Sequence, residues 1–182
     1  MSLNKRLRTA VGNYLFLKKV KQVHRQQKVV NFEDAKIIGL LYDATDEHNY
    51  ETVRNYVKKI RESRKEVKTL GYIDLKELPE NKFAKLGFDF FTKKNLNWSM
   101  IPNYPIVTNF TNEKFDILVN LCPENFFPLQ YISAVSKAKF KVGKYEPKNI
   151  ACYDMMLNVN GTISLKNFIE QVDVFLKMVN KK

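Results

Sequence analysis

The stretch that decides the fold is residues 115–145, FDILVNLCPENFFPLQYISAVSKAKFKVGKY. It begins with a short apolar run at residues 115–121, followed by a polar break and a segment of helix length. A second strand-like run then ends near Gly143. Parallel neighbouring strands need such a crossover helix, so the stretch predicts a βαβ unit in an α/β protein with a largely parallel sheet.

The rest of the chain extends the same pattern. Residues 35–42, AKIIGLLY, form a nearly continuous apolar run, which is typical of a central strand covered on both faces. Further strands are predicted at residues 67–75, 88–92, 115–121, 140–143 and 152–157. Helices are predicted at residues 47–64, near 106–111, after the fourth strand and after Ser164. Right-handed crossovers then favour a three-layer, Rossmann-like sheet of order 3-2-1-4-5-6 with helices on both faces.

Capping residues mark where two of these helices begin. Asn125 is the predicted N-cap of the helix after the fourth strand, with Pro128 in its first turn, where a missing N–H is tolerated. Ser164 is the predicted cap of the last helix, with Ile163 and Phe168 placed as a hydrophobic staple.

Composition indicates one folded domain with an extension. The chain has 182 residues, of which 45% are hydrophobic, so it can form a sizeable core. We predict a basic helical extension at residues 1–30 and a single α/β domain at residues 31–182. Cys122 and Cys152 lack metal-site spacing and are expected to be reduced, buried thiols of a cytoplasmic protein. No apolar run has the length of a membrane span, and no cleavage site follows the basic N-terminus.

Positive charge is concentrated in the extension. The formal net charge is +12, and residues 1–28 contribute eight bases and no acid. The eight bases are Lys5, Arg6, Arg8, Lys18, Lys19, Lys21, Arg25 and Lys28. The body is therefore only moderately basic, and these eight residues are the predicted contacts to a partner or an anionic surface.

The extension also has helical periodicity. One apolar stripe is formed by Leu3, Leu7, Ala10, Val11, Tyr14 and Leu15. Lys18 and Lys21 fall on the same stripe, whereas Phe16, Val20 and Val23 lie opposite. Either the helix bends near Leu17 or its second half buries a different face.

Two interpretations of this helix remain open. It docks on an anionic membrane surface or on nucleic acid, or it packs on its own body or on a second copy of the chain. Nucleic acid is the less favoured partner, because the aromatic–basic interleaving typical of base stacking is absent from the sequence.

The candidate ligand site lies where the strand order changes direction, between strands one and four. Polar residues of the two loops there are Asp43, Thr45, Asp46, His48, Asn120, Cys122, Glu124 and Asn125. The carboxylates and His48 suit a divalent cation or acid–base chemistry, but the same residues also suit helix caps and Asx turns. We predict no metal site.

Familiar catalytic signatures are absent from the sequence. It contains no GxGxxG, GxxxxGK[ST], GxSxG or HExxH pattern, and only two histidines, His24 and His48. Catalytic residues and cofactors therefore stay unassigned, and whether the chain is an enzyme is left open.

One family resemblance is carried by FDILVNL and FFPLQYISAVSKAKFKVGKY. This pattern resembles an uncharacterised bacterial α/β family with a domain of unknown function, which implies the fold and no established activity. The same segment is similar to one Rossmann-like half of heptosyltransferase-type glycosyltransferases, and this similarity implies the fold alone.

The sequence thus predicts a non-catalytic α/β binding or interaction module, cytoplasmic and peripheral to the inner membrane. Its basic N-terminal helix would dock on a partner subunit, as in a homo-oligomer, or on an anionic surface. The alternative is a protein or enzyme that binds a nucleotide or sugar phosphate in the cleft beyond strands one and four.

Overall fold

The computed structural model describes residues 3–79, 87–124, 126–159, 161 and 163–179. For residues 3–10 and 13 it describes the backbone alone. Residues 80–86, between the second and third predicted strands, lie outside these ranges.

Six parallel strands form one sheet in the order β3-β2-β1-β4-β5-β6, which confirms the predicted fold. The strands are β1 (Ile37–Asp43), β2 (Glu66–Ile73), β3 (Phe88–Thr92), β4 (Ile117–Asn120), β5 (Phe140–Lys144) and β6 (Met155–Leu157). The helices are α1 (Leu3–Lys21), α2 (Glu47–Glu62), α3 (Pro105–Asn112), α4 (Phe127–Val135) and α5 (Leu165–Met178).

Two apolar cores lie on opposite faces of the sheet. Ile38, Leu40 and Tyr42 of β1 join the core beneath α2 and α5. Leu41 points the other way, into the core beneath α3 and α4. Alternate side chains of a strand point to opposite faces, so a strand covered on both sides must be apolar throughout. This arrangement is the predicted three-layer architecture.

The starts of α2 and α5 follow the predicted capping chemistry, whereas α4 has Phe126 and not the predicted Asn125 at its N-cap position, without a side-chain cap hydrogen bond. The Asp46 carboxylate accepts a hydrogen bond from the His48 N–H at the start of α2, and the Ser164 hydroxyl accepts one from the Asn167 N–H at the start of α5. Helix α4 has proline in its first turn and Phe126 at its N-cap position, and Asn125 lies outside the described residues.

The last strand is shorter than predicted. A 3-10 helix, Pro147–Cys152, takes the place of its first residue, and β6 covers only Met155–Leu157. Proline cannot donate to a sheet ladder, so Pro147 favours the helical turn over an earlier strand start.

Helix α1 lies outside the three layers and packs on α4. The Phe16 ring meets the Phe127 ring edge-on at 6.0 Å between centroids and the Tyr131 ring at 6.2 Å. Ala134 and Cys152 complete this small cluster. The segment after α1 then reaches β1, and on the way the Lys28 N–H donates to the Lys139 carbonyl at 3.1 Å.

Candidate functional site

Polar residues after β1 are engaged in local turn and cap contacts. The Asp43 carboxylate accepts a hydrogen bond from the Thr45 N–H at 2.9 Å, and the Thr45 hydroxyl oxygen accepts one from the Asp74 N–H at 2.8 Å. Asp46 caps α2 through the His48 N–H at 2.6 Å. The His48 side chain is exposed. These contacts agree with the interpretation in which the acids form helix caps and turns and do not bind a ligand.

Asn120 at the end of β4 is buried and doubly hydrogen-bonded. Its amide oxygen accepts from the Cys122 N–H at 3.1 Å, and its amide nitrogen donates to the Tyr153 hydroxyl at 2.8 Å. The Tyr153 ring lies directly over Gly143, where an added Cβ would be 2.5 Å from the ring. Glycine at this position therefore allows Tyr153 to reach Asn120.

A small cavity lies beside this pair. Its lining includes Asn120, Cys122, Glu124 and Tyr153, and its volume is about 10 Å³. That volume holds about one water molecule. The structure thus brings together three of the eight predicted cleft residues.

The remaining predicted cleft residues do not join this lining. Asp43, Thr45, Asp46 and His48 are absent from it, and Asn125 lies outside the described residues. Trp98 is also absent from this lining.

Both cysteines are buried thiols with raised pKa values. Cys122 and Cys152 are free and buried, as predicted. Burial raises the pKa of the Cys122 thiol to about 12 and that of the Cys152 thiol to about 11. The thiolate is the nucleophile, so these pKa values argue against thiol catalysis near neutral pH. In the described ranges, no cluster of three or more His, Cys, Asp or Glu side chains could hold a metal ion.

Helix α1 has one anchored face and one exposed face. Gly12 and Phe16 are buried against the body, whereas Tyr14 is 67% exposed and Leu17 is 53% exposed. The helix continues through Leu17 to Lys21 without a break. The second half therefore buries a different face from the predicted apolar stripe, and Tyr14 of that stripe points outward.

Gly12 sets how closely α1 approaches the body. A Cβ at this position would lie 2.7 Å from the Ser99 carbonyl oxygen, which belongs to the backbone and cannot turn away. We expect Gly12→Ala to loosen α1, although alanine favours an isolated helix by about 1 kcal/mol, because such overpacking costs about 1–3 kcal/mol.

If the substitution weakens the attachment of α1 to the body by about 1 kcal/mol, the population of molecules with α1 detached rises about fivefold. Limited trypsin cleavage after Lys18, Lys19 and Lys21 should become faster by the same factor. Tyr14→Ala, on the exposed face, is the matched control and should leave cleavage unchanged. Equal cleavage of Gly12→Ala and the parent protein would contradict the close packing.

Five of the eight predicted basic contacts have described side chains, and these five separate into two groups. Lys18, Lys19, Lys21 and Lys28 are exposed. Arg25 instead pairs with Asp154, its guanidinium nitrogens donating to the two carboxylate oxygens at 3.0 and 2.6 Å. Arg25 is thus an internal anchor of the segment after α1. The side chains of Lys5, Arg6 and Arg8 lie outside those described.

Lys141 of β5 is a buried cation that the sequence does not reveal. Lysine side chains mostly lie at protein surfaces, but only 2% of this residue is exposed. Its ammonium donates to the Ala134 carbonyl near the end of α4 at 2.8 Å. Burial, and then the nearby Arg25 guanidinium, lower its pKa from 10.5 to about 7.

This all-parallel sheet, with helices on both faces, defines an α/β protein with a Rossmann-like fold. The model of a family of unknown function (DUF6913) matches residues 8–179, and the chain belongs to this family. The predicted resemblance to a family with a domain of unknown function is thereby confirmed. No curated protein matches the chain. None of the described helices is long and apolar enough to cross a membrane.

Proposed function

We propose that the chain is a non-catalytic binding module that docks on anionic lipid surfaces through the outward face of α1. The observation that carries this proposal is the exposure of Tyr14 and Leu17 beside Lys18 and Lys21, on a helix whose opposite face is anchored to the body. These four residues recur at three- and four-residue spacing, so they share one side of the helix.

The chemistry of this face suits a membrane interface. Tyrosine and leucine side chains can enter the boundary between headgroups and acyl chains, while lysines beside them meet the lipid phosphates. The first 28 residues contain no acid that would weaken this attraction. The anchored face keeps the α/β body attached to the docked helix.

Charge favours a lipid surface over a second copy of the chain. A dimer formed through α1 would bring together two acid-free helices with six bases each, and like charges repel at short range. An anionic surface is attracted by the same residues. The alternative function, a ligand site beyond β1 and β4, has less support, because Asp46 caps α2, Asp43 accepts a hydrogen bond within its own turn, and the cavity there holds about one water molecule.

Vesicle co-sedimentation tests the proposal. The double variant Lys18→Gln, Lys21→Gln should bind vesicles of phosphatidylglycerol and phosphatidylcholine about thirtyfold more weakly than the parent, since each surface lysine contributes about 1 kcal/mol. The double variant Tyr14→Ser, Leu17→Ser should also bind more weakly, because it removes the apolar part of the face.

Two exposed lysines elsewhere provide the control. Lys148→Gln, Lys177→Gln removes the same charge from the 3-10 helix and from α5, and should leave vesicle binding close to that of the parent. If the two lysine-pair variants lose vesicle binding equally, net charge alone explains the binding and a specific docking face is refuted. A concentration-dependent dimer that Leu17→Ser abolishes, without vesicle binding, would assign the face to a second copy.

A further inference from the structure

A groove separates the end of α1 from α3 and the end of α4. Its volume is about 480 Å³, which lies in the range of small-molecule sites. The walls come from three segments that are far apart in sequence, and they include Lys19 and His24 on one side and Tyr131 and Lys137 on the other. It is separate from the outward face of α1 and from the carboxyl ends of the strands.

The lining of this groove is basic. Lys19, His24 and Lys137 contribute to it, and no carboxylate does. All three side chains are exposed, and none forms an ion pair within the described chain. Glu113, the acid that follows the α3 wall in sequence, is bound to Lys68 at 2.6 Å and lines a different cleft.

The Tyr131 hydroxyl adds an uncharged hydrogen-bond donor on a ring that is held in place by its neighbours. Its ring is held against Phe16 and Phe127, at 6.2 and 6.5 Å between centroids. Its hydroxyl makes no hydrogen bond to the described chain, and burial raises its pKa, so it keeps its proton. The Thr108 and Thr111 hydroxyls also line the groove, but they already donate to the Tyr104 and Thr108 carbonyls.

Carbonyls at the neighbouring helix ends oppose an anion only weakly. Helix ends carry negative partial charge because their last carbonyls lack partners. Here the Glu113 N–H donates to the Asn109 and Phe110 carbonyls, and the Lys137 N–H donates to the Thr111 carbonyl. These carbonyls are therefore already hydrogen-bonded, which reduces their repulsion of an anion.

The larger cleft near β2 and β3 does not offer comparable free donors. It has a volume of about 750 Å³. Its Lys68 pairs with Glu113, and its Lys65 donates to the Glu33 and Ala35 carbonyls. An anion entering this cleft would have to displace contacts that already exist.

We propose that the groove between α1, α3 and α4 binds a compound carrying a phosphate monoester, held by Lys19, His24, Lys137 and the Tyr131 hydroxyl. Several donors directed at one space suit the three terminal oxygens of a phosphate monoester. This inference goes beyond the proposed lipid docking and does not rest on it. Because one wall belongs to α1, an occupied groove would also hold α1 more firmly to the body.

Calorimetric titration with inorganic phosphate and glycerol 3-phosphate tests the site in solution. Saturable binding is expected, weakened about tenfold by Lys137→Gln and further by Lys19→Gln, Lys137→Gln together, since each charge-assisted hydrogen bond contributes on that scale. Lys148→Gln, far along the chain on the 3-10 helix, removes an exposed lysine outside the groove and should bind as the parent does. Leu17→Ser, which weakens the lipid face, should also bind phosphate normally.

A second arm with phosphatidic acid vesicles separates the two sources of the monoester. Solution binding supports a soluble ligand. Binding only to these vesicles, with loss in Lys19→Gln, Lys137→Gln but not in Lys148→Gln, supports a lipid headgroup. The proposal is overturned if neither source binds to the folded protein, or if the groove variants and Lys148→Gln lose binding equally.

Discussion

Asp154→Ala is expected to lower the free energy of unfolding by about 3–5 kcal/mol, since it leaves one partner of a largely buried ion pair without its counter-charge. The Asp154 side chain is 7% exposed and the Arg25 side chain 16%. The carboxylate accepts hydrogen bonds from Arg25, from the Gln27 amide and from the Lys141 N–H. Its loss therefore leaves the segment after α1 held at β5 only by the Arg25 bonds to the Ala138 and Lys139 carbonyls and by the Lys28 N–H bond to the Lys139 carbonyl.

Chemical denaturation gives the measurement, and Arg54→Ala is the matched control. Arg54 pairs with Glu51 on the surface of α2, where both side chains are about half exposed, and such pairs contribute less than about 1 kcal/mol. Trypsin should also cleave the Asp154→Ala protein sooner between α1 and β1. A loss of stability no larger than that of Arg54→Ala would show that the Arg25–Asp154 pair does not anchor this segment.

Lys141 is expected to make the protein more stable as the pH rises from 7 towards 9. In the folded state its pKa is lowered from 10.5 to about 7, first by burial and then by Arg25. Between these two values the unfolded chain binds more protons than the folded chain, so the free energy of unfolding increases with pH. Below pH 7 both states hold the proton and the penalty for burying the charge is complete.

Lys141→Met should remove this dependence. At pH 6 the variant should be more stable than the parent by on the order of a few kcal/mol, and the advantage should shrink towards pH 9. Urea denaturation at pH 6, 7, 8 and 9 measures it. The Cys152 thiol, whose pKa is raised from 9.0 to about 11 in the folded state, begins to ionise in the unfolded chain near pH 9. This ionisation lowers the stability of both proteins at that pH, so the readout is the difference between the variant and the parent.

Lys148→Met serves as the control for charge removal at an exposed position and should follow the parent at every pH. Parallel pH curves for Lys141→Met and the parent would mean that Lys141 titrates alike in the folded and unfolded states. A Lys141→Met protein that is less stable at pH 6 would show instead that the bond from its ammonium to the Ala134 carbonyl outweighs the cost of burial.

Local patterns and topological rules predict most of this fold. Strand β3 was predicted with its observed bounds, and the apolar run at residues 35–42 predicted a strand covered on both faces. Ser164 marked the start of α5 because its cap is made within one turn. The strand order followed from the right-handedness of crossovers, a rule that needs no distant contact to be known.

Features that depend on distant contacts escaped prediction. Lys141 looks like a surface residue in its strand, and its burial depends on α4, on Asp154 and on the segment containing Arg25. The buried face of α1 is set by Phe127 and Tyr131, more than a hundred residues along the chain. The basic groove likewise joins residues from α1, α3 and α4, so no local motif marks it. In the loops after β1 and β4, by contrast, the sequence also predicted the helix-cap and turn roles of the polar residues, because those hydrogen bonds form between residues close in sequence.

The packing of α1 on α4 has a consequence for the newborn chain. On the ribosome, at about 5–20 residues per second, α4 is synthesised on the order of ten seconds after α1. During that interval Phe16 has no aromatic partner, and the edge of β1 that will pair with β4 is open. The face of α1 that carries Phe16 and an unpaired strand edge are then exposed together, so shielding by a chaperone would matter most before residue 135 has emerged.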